Sequence, residues 1–118
     1  MSDYHYDAIV TDVHDGDTVT VDVDLGFKAW LRGIRIRMYG INAPELSTPE
    51  GPVAQKFLAG LVALAPGRRV TLETFKDRED KYGGRWLGTL WIGGKNMNLA
   101  MIDGGHAKPY FGAGPKPL

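Results

Sequence analysis

The sequence predicts a mainly β, α+β domain: a small five-stranded barrel with two or so short helices. Three observations lead there. Valines alternate with polar residues after an Asp-Gly turn near the N-terminus. Further segments of alternating apolar residues follow at strand length. The one long amphipathic stretch falls between the third and fourth of these strands. With 118 residues the chain is read as one domain, 1–118, large enough for a single core but not for two.

The elements follow in order. Residues 8–24 read as a hairpin. Ile9, Val10 and Val13 precede a turn at Asp15-Gly16, and Val19, Val21 and Val23 alternate with Thr18, Thr20, Asp22 and Asp24. Asp-Gly is a strong hairpin-turn dipeptide because glycine takes φ > 0 without steric cost, so Gly16 is expected there. A second β segment spans about 28–41, with Ile34, Ile36 and Met38 on one face and Arg35, Arg37 and Tyr39 on the other. Asn42-Ala43-Pro44 ends it, since proline cannot donate to a ladder.

Residues 52–65 are the best helix candidate, with Pro52 in the first turn and Val53, Phe57, Leu61 and Leu64 on one face. Pro66-Gly67 stops it. Strands are expected at about 69–75 and 86–92, joined by a charged loop, then a short helix at about 96–103 capped by Gly104-Gly105. The core runs from about 8 to 111, and residues 112–118 read as a flexible tail. Five strands with a helix between the third and fourth is the OB-fold pattern, a fold that does not by itself assign function.

Composition excludes several chemistries. The chain has no cysteine, which removes disulfides, thiolate-bound zinc and a cysteine nucleophile. No apolar run approaches the roughly 18 residues needed to span a membrane. The acidic start, Met1 to Asp7, lacks the basic and apolar regions of a secretory signal, so a cytoplasmic location and no membrane partner are expected. A net charge of zero hides an asymmetry: residues 1–25 hold seven Asp and no Lys or Arg, while the remainder holds all 14 basic residues against seven acidic ones. A basic body with an acidic edge suits a polyanion and a cation, although charge also varies along ordinary soluble chains.

Three polar clusters carry the chemistry. Asp15-Gly16-Asp17-Thr18 places two carboxylates at a turn. Arg37 stands five residues before Asn42-Ala43-Pro44-Glu45, and Asp80-Lys81-Tyr82-Gly83-Gly84-Arg85 follows later. Asp17, the amide oxygen of Asn42 and the carbonyl of Ala43 could supply oxygens to a hard cation such as Ca²⁺. With Glu45 as a free carboxylate and Arg37 and Arg85 as cations, the set matches what phosphodiester hydrolysis needs. Each cluster also has a plainer reading: a hairpin turn, a solvated loop carboxylate, exposed strand arginines and a solvated charge run. His5, His14 and His106 are too scattered for a metal set, and Trp30, Trp86 and Trp91 are expected in the core.

The succession DGDT, R-x4-[DN]-x-P-E, DKYG(G)R and a late N-x-A-[LM] helix followed by an aromatic resembles the staphylococcal (thermonuclease) family of OB-fold nucleases, from about Ala8 to Phe111. The resemblance implies Ca²⁺ held by Asp17, Asn42 and the Ala43 carbonyl, and Glu45 as the glutamate that activates or orients water. It implies Arg37 and Arg85 on the scissile phosphate, Lys81 and Tyr82 on a flanking phosphate, and Tyr110 or Phe111 stacking on a nucleotide. The implied reaction is cleavage of single-stranded or open DNA or RNA with little sequence preference, by a monomer, leaving 3′-phosphates.

The chain departs from the pattern. Asn42 stands where the family's best-known members have aspartate, which weakens a calcium site whose affinity follows ligand charge. Ala43 replaces a threonine, Gly84 reads as an insertion before Arg85, and a third helix is missing, as in a minimal version from a phage or bacterial genome. Two other readings fit: a catalytically inactive nucleic-acid or protein-binding module of the same family, and a plain OB-fold single-strand binder. A binder has no use for Glu45.

Overall fold

The computed structural model describes residues 4–79 and 84–110. Five long strands, β1 (His5–Asp15), β2 (Thr18–Gly26), β3 (Ala29–Met38), β5 (Arg69–Glu79) and β6 (Trp86–Ile92), lie in the order β3-β2-β1-β5-β6. Neighbours are antiparallel, and β3 then pairs with β6 in parallel at Ile36–Trp86, Arg37–Leu87 and Met38–Gly88. That pairing closes the sheet into the expected mixed barrel with two helices, α1 (Gly51–Ala63) and α2 (Met97–Asp103). Among the described residues no helix is long and apolar enough to cross a membrane.

The period of two behaves as the sequence suggests. Val19, Val21 and Val23 are buried on one face of β2, and Ile36 and Met38 face them from β3. β1 carries bulges between Val10 and Asp12 and between Val13 and Asp15. Ahead of the bulges, alternation puts Ala8 and Val10 inside and leaves Ile9 only partly buried, and Val13, between the bulges, is partly buried too. Three two-residue strands escape sequence reading: β4 (Ile41–Asn42), β7 (Lys95–Asn96) and β8 (Lys108–Pro109). β7 extends the sheet beyond β6, while β4 and β8 pair with each other, so Asn42 stands opposite Lys108.

α1 is rotated from the expected face: Phe57 and Leu61 pack against the core at its edge, but the inward line is another one. Ala54, Leu58 and Val62 are buried, whereas Val53 and Leu64 are 54% and 80% exposed. The inward line still has a spacing of four, but it begins at an alanine because the helix approaches the β1–β2 turn too closely for valine. Pro52 does sit in the first turn. α2 ends in a Schellman motif: the His106 N–H donates to the Met101 carbonyl, the Gly105 N–H donates to the Ile102 carbonyl, and Gly105 takes φ 78°. The tryptophans are a second correction. Trp86 packs against the core, but Trp30 lies under the Arg32 guanidinium and Trp91 donates to Glu73, both only half-buried. Their ring nitrogens and size favour partial exposure.

β2 and β3 join through Phe27-Lys28, two residues at φ 55° and 65° between the paired Gly26 and Ala29. A two-residue loop with both φ positive is the hairpin geometry that favours Asn-Gly. A residue with a β-carbon gives up roughly 1–2 kcal/mol in left-handed backbone. Replacing Phe27-Lys28 by Asn-Gly should therefore stabilise the fold by about 1–2 kcal/mol, read as a higher urea midpoint with an unchanged m-value.

Candidate active site

One end of the barrel gathers the β1–β2 turn, the end of β3, strand β4 and the residues just before β6. Asp17 lies at its centre and is 6% exposed. Its Oδ2 accepts the Ala43 N–H at 2.8 Å and stands 3.4 Å from Arg37 Nη2, and its Oδ1 accepts the Thr18 hydroxyl at 3.1 Å. Arg37, 8% exposed, donates from Nη1 to the Met38 carbonyl at 3.1 Å and from Nη2 to Asn42 Oδ1 at 3.4 Å. Four of the expected site residues, Asp17, Arg37, Asn42 and Ala43, thus form one hydrogen-bonded cluster although 26 positions separate Asp17 from Ala43.

The turn reaches this position through sterics. Gly16 does not take the positive φ expected of it. A β-carbon there would lie 2.7 Å from Ala43 Cβ and 2.9 Å from Ala54 Cβ, with Met101 Cε at 3.4 Å. Glycine at 16 and alanine at 43 and 54 let the turn, the β4 loop and α1 meet. Gln55 adds two bonds from the helix, donating to the carbonyls of Val13 at 2.9 Å and His14 at 3.2 Å.

Glu45 follows Pro44 two residues after Ala43, at most about 7 Å of chain. Its carbonyl accepts from the Thr48 amide at 2.9 Å and the Thr48 hydroxyl at 2.6 Å, which fixes the backbone, while the side chain is exposed. Gly51 is packed against that carbonyl, with no room for a β-carbon. Among the described residues the Glu45 carboxylate makes no ion pair or hydrogen bond.

Arg85 is half-buried and lines a polar cleft of about 250 Å³ with His14, Asp15, Thr18, Arg35 and Gly84. Gly84 takes φ 75° with open space around it, a backbone shape that suits glycine. Thr18, bonded to Asp17, joins this cleft to the central cluster. Tyr110 is anchored by its N–H to the Gly40 carbonyl at 2.8 Å, beside the β4–β8 pair rather than in the cluster. Lys81, Tyr82, Phe111 and the tail 112–118 lie outside the described residues.

Several contributors were not singled out from the sequence. Asn98, 3% exposed, donates to the carbonyls of Tyr39 at 2.9 Å and Gly88 at 3.1 Å and accepts the Leu90 N–H at 3.2 Å. It stitches the barrel where β3 and β6 close. Its place in the N-x-A pattern was the available signal. Gln55 and Gly51 carried none beyond their neighbours, whereas Asp15 and Thr18 were named with the turn cluster but given no role of their own. His14, read as incidental, lines the cleft.

The electrostatics of Asp17 suit a cation. Burial first, then the neighbouring Asp15 carboxyl, raises its pKa from 3.8 to about 6, and Arg37 and the Ala43 N–H offset only part of this. Two adjacent carboxylates with one arginine between the site's acceptors leave negative charge under-compensated. Among the described residues no three of His, Asp and Glu stand together as a metal set. The donors available to a cation are Asp17, the Asn42 amide oxygen and backbone carbonyls, a hard-oxygen set of low charge.

The family described as staphylococcal nuclease homologue matches residues 35–117. The chain belongs to that family. Over 109 residues it is 31% identical to the thermonuclease of Staphylococcus intermedius, covering 87% of this chain and 59% of the relative. Protein ParB of Escherichia coli is 36% identical over 110 residues, covering 86% of this chain and 55% of that protein. Endonuclease YhcR of Bacillus subtilis (strain 168) is 31% identical over 118 residues, covering 90% of this chain but 9% of the relative. The chain therefore spans little more than half of the first two relatives and a small part of the third.

Two outcomes are expected from this geometry. Gly16→Ala should destabilise the protein by about 1–3 kcal/mol through overpacking. Gly60→Ala, with nothing within 4 Å of its β-carbon, should stabilise it by about 0.5–1 kcal/mol. Thermal unfolding compares the pair, and equal effects would remove the close-approach argument.

The second outcome concerns pH. The native state holds the Asp17 proton more tightly than the unfolded chain does. This contribution is fully present below about pH 4 and is lost as pH rises through about 6. Without divalent metal, the stability of Asp17→Asn relative to wild type should rise by on the order of 3 kcal/mol between pH 4 and 7. Urea titrations at several pH values give this difference, and a flat one would show that Asp17 titrates normally.

Proposed function

We infer that the chain is a metal-dependent nuclease hydrolysing phosphodiester bonds of DNA or RNA, acting on single-stranded or locally open substrates with little sequence preference. The observation that carries this reading is the cluster itself. An under-compensated carboxylate, a locked arginine and an amide oxygen converge at one barrel mouth, with an exposed carboxylate three residues beyond the amide and a second arginine lining the adjoining cleft. Membership of the staphylococcal nuclease homologue family and relatives named thermonuclease and endonuclease support it.

In this reading Asp17, the Asn42 amide and the Ala43 carbonyl hold Ca²⁺. The ion supplies charge neutralisation at the phosphate. Glu45, unpaired among the described residues, accepts the proton of the attacking water. Arg37 and Arg85 donate to the non-bridging oxygens, whose charge grows toward the five-coordinate transition state. The Met38 carbonyl and Asn42 fix the Arg37 guanidinium in advance, so little ordering remains for the reaction. Lys81, Tyr82 and Tyr110 are proposed strand contacts.

A second reading, a binding module that has kept the fold without turnover, is favoured by one feature: Asn42 leaves the cation set a charge short. Glu45 separates the two. Denatured DNA or RNA incubated with the protein should be cut in Ca²⁺ and spared in EDTA. Half-maximal rate should need metal on the order of 10⁻⁴–10⁻³ M, and Asn42→Asp should lower that requirement. Glu45→Gln and Arg37→Ala should each reduce turnover by roughly 10²–10⁴-fold. Full rate in Glu45→Gln would remove Glu45 from the chemistry, and no calcium-dependent cleavage by wild type leaves the binding module.

A further inference from the structure

Three arginines of β3, Arg32, Arg35 and Arg37, differ in how their charge is met. Arg32 pairs with Asp22 at 2.9 Å, and Arg37 stands 3.4 Å from Asp17. Arg35 is exposed, and among the described residues it has no carboxylate partner. Two acids of β1 are directed elsewhere. Asp12 Oδ2 lies 3.5 Å from His14 Nδ1, and Asp15 Oδ1 accepts the Asp17 N–H at 3.0 Å.

Arg35 nevertheless lies on a concave surface. It lines the polar cleft with Arg85, and the strand register places it opposite Thr20 on β2. Thr20 is itself held by His14, Oγ1 to Nε2 at 2.6 Å, which builds that wall of the cleft. The parallel β3–β6 pairing matches Ile36 with Trp86, so Arg35 and Arg85 precede paired residues on adjacent strands. Two guanidinium groups border one small polar space.

The geometry points to Arg35 as the anchor of a second phosphate subsite, which takes the phosphodiester neighbouring the scissile one. Arg35 and Arg37 share one face of β3 two residues apart, a separation of about 6.6 Å along the strand. That matches the scale between successive phosphates of an extended single strand. The cleft, at about 250 Å³, is small beside ligand pockets of roughly 300–1,000 Å³. It suits a phosphate with part of its sugar rather than a whole nucleotide. Arg37 meets its phosphate already locked, whereas the exposed Arg35 contributes charge and therefore affinity. The subsite rests on the nuclease reading only for which phosphate is cut.

The test uses the full chain and a short single-stranded oligonucleotide with one cleavable linkage. Three versions are compared: all-phosphate, and neutral methylphosphonate at the linkage either 5′ or 3′ of the cut. Arg35→Ala should raise KM roughly five- to tenfold on the all-phosphate strand, with the loss in KM rather than kcat. It should also reduce the slope of log affinity against log salt by about 0.7. One of the two methylphosphonates should cost wild type a similar factor and cost Arg35→Ala nothing more. Arg35→Lys should keep the salt slope, since it keeps the charge.

The proposal is overturned if Arg35→Ala leaves KM and salt slope unchanged. Equal penalties for the variant on all three strands, or a loss confined to kcat, would also overturn it. If wild type cuts no strand, the nuclease reading has failed, and equilibrium binding of the same strands by the same proteins decides the subsite separately. Coincident thermal unfolding of Arg35→Ala and wild type excludes a folding defect.

Discussion

The site depends on one buried carboxylate. Asp17 holds the backbone of Ala43, the hydroxyl of its neighbour Thr18 and the guanidinium of Arg37, and so ties the β1–β2 turn to both the β4 loop and β3. The Met38 N–H, bonded to the Asp17 carbonyl at 2.8 Å, fixes the backbone side of the same junction. A carboxylate in this position is costly, which its raised pKa records. The fold tolerates it because small residues at 16, 43 and 54 allow the approach and because an apolar cluster packs beneath them. Polar precision at the mouth rests on tight packing just below it.

Barrel closure sets the other half of the geometry. β3 and β6 pair over only three positions, a short ladder for the element that carries Arg37 and leads out of Arg85. Asn98 compensates by bonding both strands from α2, and the Tyr39 N–H to the Gly88 carbonyl at 2.8 Å continues the pairing past the strand end. A β-carbon at Gly88 would lie 2.8 Å from Leu72 and 3.1 Å from Ile36 side-chain atoms, so the strands close around that glycine. The relation between the two arginines is thus decided by an asparagine and a glycine that touch neither.

Much of this was legible in the sequence, for identifiable reasons. Strands such as 18–24 show period two because one face is buried and the other wet. The helices announced themselves through Pro52 and the Gly104-Gly105 stop. The cluster members were legible because their chemistry is narrow: few roles suit an aspartate turn, an isolated arginine and a Pro-Glu together. What failed is equally specific. The face of α1 was read from Val53, Phe57, Leu61 and Leu64, yet the buried line runs through Ala54, Leu58 and Val62, since the close approach of Ala54 to the turn fixes how the helix is rotated. Gly16 was assigned to backbone freedom, although excluded volume requires it. Two-residue strands β4, β7 and β8 have no period to read. Register, which places Arg35 beside Arg85, is a property of pairing that no single segment encodes.

The two β3 arginines of the mouth show how burial divides labour on one strand. Arg37 is shielded, shared among the Met38 carbonyl, Asn42 and Asp17, and its orientation is settled before any ligand arrives. In a site of low dielectric such a group acts strongly but only at short range, on charge that appears at one place. Arg35, two positions earlier and solvated, keeps a field that reaches further and is weakened by salt. Asn42 fits this division. A second carboxylate there would draw Arg37 more firmly into internal pairing, since a guanidinium between two aspartates has less attraction left for a phosphate. The neutral amide accepts one bond from Arg37 and leaves its charge less fully compensated, while lowering the pull on a cation. On the nuclease reading, residue 42 therefore sets a balance between holding metal and holding phosphate, and this chain lies toward the phosphate.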